Sequence, residues 1–151
     1  MIHLQNVKFL NLIPPVAIKD NAAFVTTEID TKGYDYATFV VNLGVTDIAM
    51  AALKITECAT SGGSFTDVTG LDADGDTDTD GATSTLPTAT DDGGVFVFEV
   101  DLRNTERFLD LSATAGDGSA GTYASGVCIL SRAHDVPVTA AERGCLNILR
   151  A

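Results

Sequence analysis

The stretch VFVFEVDL, residues 95 to 102, constrains the fold more than any other part of the chain. Phe96, Phe98, Val100 and Leu102 fall at alternate positions, with Glu99 and Asp101 between them at the far end. A period of two puts the apolar residues on one face of a pleated strand, whereas a helix needs a period of 3.6. Phe and Val also favour a half-buried pleated surface, so propensity and pattern agree.

Segments of similar character recur along the chain. Strands are expected over 22–29 (AAFVTTEI), 34–45 (YDYATFVVNLGV), 52–59 (ALKITECA), 65–68 (FTDV), 107–115 (RFLDLSATA) and 122–133 (TYASGVCILSRA). The turn TSGGS joins the third and fourth as a hairpin, with Gly62 and Gly63 expected to supply positive φ angles. GDGSAG, 116–121, is a turn of small residues, and IAMAAL, 48–53, reads as the lead-in to a strand rather than as a turn of helix. Short strands separated by Gly, Ser and Asp turns predict an all-β chain, an antiparallel sandwich or barrel of about seven to eight strands.

The ends differ from this core. Residues 1–21 carry Phe9, Leu10, Leu12 and Ile13 and then meet Pro14 and Pro15. Residues 134–151 carry Leu146, Ile148 and Leu149 after the last strand. Chain ends with large apolar residues are usually tied down. Either both are edge strands of their own domain, or one or both are extended arms that cross to a neighbouring subunit. The expected organisation is an N-terminal arm (1–21), a β core (22–133) interrupted by an acidic insertion (71–94), and a C-terminal arm (134–151).

Charge narrows the function. The chain has 151 residues, a formal charge of −12 and 45% hydrophobic residues. One domain of this size can bury a core without metal or disulfide staples. The nine basic residues form no cluster, so binding to nucleic acid phosphates or to anionic membranes is not expected. No basic residue lies between Lys54 and Arg103, while eleven carboxylates do. Cys58, Cys128 and Cys145 form no Cys-x-x-Cys pair and are expected as reduced thiols. The first twenty residues lack a basic leader and a small-residue cleavage site, so no signal peptide is expected.

The insertion contains LDADGDTDTDGAT, residues 71–83, with aspartates at alternate positions. Counted from Asp76, an EF-hand calcium loop finds Asp78 and Asp80 at its third and fifth positions and Gly81 at its sixth. The twelfth residue is Pro87, where a bidentate Glu is required, and the flanks predict no helices. Asp76, Asp78 and Asp80 therefore remain candidates only for a looser calcium site. In extended chain, neighbouring carboxylates ~7 Å apart repel by about 0.6 kcal/mol in water, which favours a mobile, solvated loop.

No catalytic constellation or cofactor motif emerges. His3 and His134 are the two histidines, neither near a Cys or a Gly-x-Ser-x-Gly turn, and GDGSAG lacks the Lys and helix of a phosphate loop. Glu99 with Asp101, and Glu106 with Asp110, have carboxylate spacing but read better as solvated strand faces, with Arg103 and Arg107 beside the second pair. Neither an enzyme nor a bound cofactor is expected.

IDTKGYDYATFVVNLG (29–44), LKITECATSGGSFTDVTG (53–70), VFVFEVDLRNTERFLDLSATAG (95–116) and GTYASGVCILSRA (121–133) together resemble small structural proteins of tailed bacteriophages, most closely head decoration (cement) proteins. The resemblance lies in texture and segment order over some two thirds of the chain. It implies a virion protein on the outer capsid surface whose partners are the major capsid protein and copies of itself. The expected interface residues are Phe9, Leu10, Leu12, Ile13, Leu146, Ile148 and Leu149. Residues 71–94 have no counterpart in that resemblance. Other phage parts (tail tube, tail completion or fibre base) and a calcium- or carbohydrate-binding β module remain open alternatives.

Overall fold

The computed structural model describes residues 4–150. Eight strands form two antiparallel sheets of four: β1 (Lys8–Ile13), β2 (Ile29–Asp30), β3 (Tyr34–Thr46), β4 (Ala52–Cys58), β5 (Thr66–Asp72), β6 (Val95–Asp101), β7 (Phe108–Thr114) and β8 (Thr122–Ala133). One sheet runs β1-β8-β3-β6 and the other β2-β7-β4-β5. The arrangement is an open sandwich and not a closed barrel.

The alternation read from the sequence sorts the side chains between core and solvent. In β7, Leu109, Leu111 and Ala113 are buried between half-buried neighbours. In β3, Ala37, Phe39, Val41 and Leu43 face the same way, and in β6 Phe98 and Val100 lie opposite Phe39 and Ala37. Leu53 and Ile55 of β4 and Cys128 and Leu130 of β8 complete the two inner faces. Two apolar faces stacked ~10 Å apart exclude water between them, and that burial supplies the main stabilisation.

Four expectations change in detail. Only Ile29–Asp30 of the 22–29 segment is a strand. Its upstream part divides its hydrogen bonds between the sheets: Phe24 donates to the Ala113 carbonyl of β7, and Thr27 donates to the Leu12 carbonyl of β1. A segment that serves both sheet edges cannot stay in register with either, and it closes that side of the sandwich. In the hairpin turn only Gly62 has a positive φ. Gly63 is required for space, since a Cβ there would lie 2.6 Å from the Cys58 sulfur. Leu102 leaves the strand face to begin a 3₁₀ turn, Leu102–Asn104, which Asp101 caps by accepting from the Arg103 amide.

The fourth change concerns the N-terminal arm. Lys8–Ile13 is a strand of the domain itself, antiparallel to β8, and Leu12 and Ile13 are buried in the core. Those two residues therefore pack inward and present nothing to a partner. The C-terminal segment reinforces the same edge. The Phe9 amide donates to the Arg143 carbonyl at 2.8 Å, and the buried Arg143 side chain donates to the Val7 and Leu4 carbonyls.

Candidate functional site

One side of the sandwich is closed by the 22–30 segment, whereas the other is left open. There the free edges of β5 and β6 face each other, and the connection 73–94 crosses between them. Between these edges lies a cleft of about 640 Å³. Phe96, Leu71 and Ala73 supply its apolar lining, and Asp72, Asp76, Asp78 and Glu99 supply carboxylates around it. Phe96 packs against Phe98, with ring centroids 5.1 Å apart, which ties the apolar lining to the core.

The aspartate run is built into this rim as turn-forming acceptors. Asp78 Oδ1 accepts from the amides of Asp80 and Ala82, both at 2.9 Å, and the Asp78 amide donates to the Ala82 carbonyl. Asp76 Oδ2 accepts from the Asp72 amide, and the Ser84 amide donates to the Asp76 carbonyl. Thr77 and Thr83 bridge across the resulting small hairpin, whose tip uses Gly81 at φ 83°. The mobile loop expected from charge repulsion is instead a folded one, because short Asp side chains satisfy nearby backbone amides at little entropic cost.

Among the described residues no group of three or more His, Cys, Asp or Glu side chains is arranged to hold a metal ion. Asp76, Asp78 and Asp80 are not brought together around a common centre. His134 Nε2 lies 2.9 Å from Asp35 Oδ1 on an exposed surface, and no serine or cysteine among the described residues bonds to that ring. His3 lies outside the described residues. The carboxylate pairs also separate. Asp101 is bound by Arg103, and Arg107 pairs with Asp30 at 2.7 Å rather than with Glu106 or Asp110. Asp110, beside Thr26 in a second pocket, is held above the usual carboxyl range by burial. Asp47 is shifted the other way, held low by the amides of Ala120 and Ser119 that donate to it.

No protein-family model matches the chain, and no curated protein or solved structure is significantly similar to it.

Two exposed apolar surfaces bear on recognition. The first is the outer face of the β1-β8-β3-β6 sheet. Register places Val127, Val40 and Val97 in one cross-strand row, with Phe9 and Ile129 adjacent in the next. Val127, Val97 and Val95 are 39%, 47% and 59% exposed, so the apolar row opens to solvent toward β6. The second is the segment after the Arg143 clamp, where Leu146 and Leu149 are almost wholly exposed and Ile148 is half-buried. Of the residues expected at an interface, Leu10 packs against the core, and Phe9 lies on the outer face with the Arg143 guanidinium 5.9 Å from its ring. Sequence patterning missed the valine row because strand alternation gives no sign of which outward residues lie side by side. Register alone reveals it.

Proposed function

We propose that the chain is a non-enzymatic virion structural protein, a capsid decoration (cement) protein that binds the outer surface of a tailed-phage head through the outer face of the β1-β8-β3-β6 sheet. The observation that carries it is the row Val127–Val40–Val97 with Phe9 and Ile129 beside it, an apolar stripe on the outer sheet face in which Val127 and Val97 are exposed among the described residues. Exposed apolar area of this kind marks an interaction surface. The four segments that resemble phage structural proteins supply the β framework on which the stripe stands. A charge of −12 favours the outside of a shell filled with DNA, since DNA repels an acidic protein. Binding only the assembled lattice adds its binding free energy to the stability of that lattice.

The test is co-sedimentation with preformed empty heads. The full chain is expected to sediment with them and to raise their melting temperature, and Val127→Lys is expected to lose at least about tenfold in affinity while keeping the wild-type fold. Val127→Lys binding as well as wild type would remove the outer face from the interface. Binding to tails but not to heads would assign the chain to a tail component, and binding to neither would end the virion reading.

A further inference from the structure

We infer that the chain associates head to tail, residues 146–150 of one copy adding as a strand to the open edge of β6 in the cleft of the next. Three features fit donor to acceptor. The first is the unused edge: among the described residues β6 pairs with β3 on one side only, so its outward amides and carbonyls are a template for another strand.

The second is side-chain sorting. An extended segment places Leu146, Ile148 and Arg150 on one face and Asn147 and Leu149 on the other. Beyond β6, the inward face meets Phe96 and Leu71 and the carboxylates of Asp76 and Asp78. The outward face sets Leu149 beside Val95 and Val97, covering exposed valines at that edge. The only charge of the donor segment, Arg150, is opposite in sign to the rim that receives it.

The third is reach, which makes the contact intermolecular. The C-terminal clamp sits on the free edge of β1, where Arg143 accepts from Phe9, at the far side of the sheet from β6. Five strand spacings of roughly 4.8 Å, about 24 Å, separate that edge from a new strand beyond β6. Residues 146–150 fully extended span at most about 18 Å. The segment cannot lie in its own cleft, so a second copy must supply it. Such a head-to-tail contact uses different surfaces on the two partners and closes into rings or extends as rows.

The experiment is native mass spectrometry and sedimentation velocity on the full chain without capsids, over a wide concentration range. Concentration-dependent oligomers are expected. Deleting residues 146–151 while keeping the clamp through Cys145 should give monomer with an unchanged far-UV spectrum. Arg150→Glu should weaken association about tenfold and reduce its dependence on salt. Val97→Lys, on the exposed acceptor edge, should weaken it without altering the donor, and equimolar mixing with the deletion variant should cap assemblies at short lengths. A monomeric full chain at all concentrations, or a deletion variant that still assembles, would overturn the inference. The inference and the capsid function separate cleanly: oligomers that ignore heads defeat only the latter, and a monomer that coats heads defeats only the former.

Discussion

Arg143 donates from Nε to the carbonyl oxygen of Val7 at 3.1 Å from a position only 3% exposed, joining the two ends of the chain across 136 residues of sequence. Its terminal nitrogen reaches the Leu4 carbonyl, and its own carbonyl accepts from Phe9. No carboxylate among the described residues pairs with it. A guanidinium suits this site because its fork satisfies several carbonyls at once. Arg143→Ala leaves the buried Val7 carbonyl and the part-buried Leu4 carbonyl without this partner and is expected to cost about 2–4 kcal/mol in urea unfolding. Arg143→Lys, a single point donor, should recover only part of that loss. Amide exchange at Phe9 should accelerate in both variants.

Leu12 and Leu149 were equivalent as sequence features, large apolar residues near opposite chain ends, and the fold separates them. Leu12 is fully buried between the sheets and Leu149 is 90% exposed. Leu12→Ala is expected to destabilise by about 2–5 kcal/mol through lost burial and the cavity left behind. Leu149→Ala should stay within about 0.5 kcal/mol of wild type. Equilibrium denaturation of the two variants checks the contrast. Removal of residues 1–13 should accordingly unfold the domain, so the front of the chain cannot be trimmed to test an interface.

Asp78 and Asp80 look alike in the run DTDTD, yet only Asp78 carries backbone amides on its side chain. Asp78→Ala is expected to cost about 1 kcal/mol, and Asp80→Ala close to nothing. Because Asp78 already accepts from two backbone amides, melts with calcium and with chelator are expected to agree within about 1 °C. A calcium-dependent rise that disappears in Asp78→Ala would return the loop to metal binding.

Much of this fold was legible because strand periodicity is local. VFVFEVDL and RFLDLSATA each carry their own inside and outside, and the structure keeps that alternation over Val95–Asp101 and Phe108–Thr114. What was not legible depends on pairing. AAFVTTEI has strand composition, yet its amides divide between two sheets, and no local pattern encodes a shared allegiance. The cleft was likewise hidden, since Leu71 and Phe96 lie on strands of different sheets and meet only through topology. The aspartate run misled through its charge: repulsion of about 0.6 kcal/mol per pair is smaller than the gain from the turn bonds those carboxylates make.

The cysteines should divide by accessibility. Burial pushes the Cys128 thiol up to about 12, and Cys58 is also buried, whereas Cys145 is half-exposed with its thiol donating to the Arg143 carbonyl. Thiolate is the reactive form, so a disulfide reagent at about pH 8 should modify Cys145 alone in the folded chain. All three should react in denaturant. Rapid native modification of Cys128 would mean that β8 opens on the timescale of the assay.

Acid should weaken the domain through carboxylates that the fold holds low. Arg103 grips Asp101 through its side chain and its amide, pulling that carboxyl down to about 2, and Arg107 lowers Asp30 in the same way. A group whose folded pKa lies below its unfolded value binds more protons when unfolded, so its contribution is complete above the ordinary carboxylate pKa. That contribution is lost as pH falls from about 4 toward 2. Asp110 has the opposite sign: burial raises it, so its protonation as pH falls toward about 4 favours the fold, mostly before that loss sets in. Urea midpoints at about pH 5, 3 and 2 should fall steadily for the wild type and less steeply for Asp101→Asn. The two profiles should converge at the lowest pH, where the wild-type carboxyl is itself half-protonated. Parallel profiles would show that the Asp101–Arg103 pair adds nothing to acid stability, as solvent screening of an exposed pair allows.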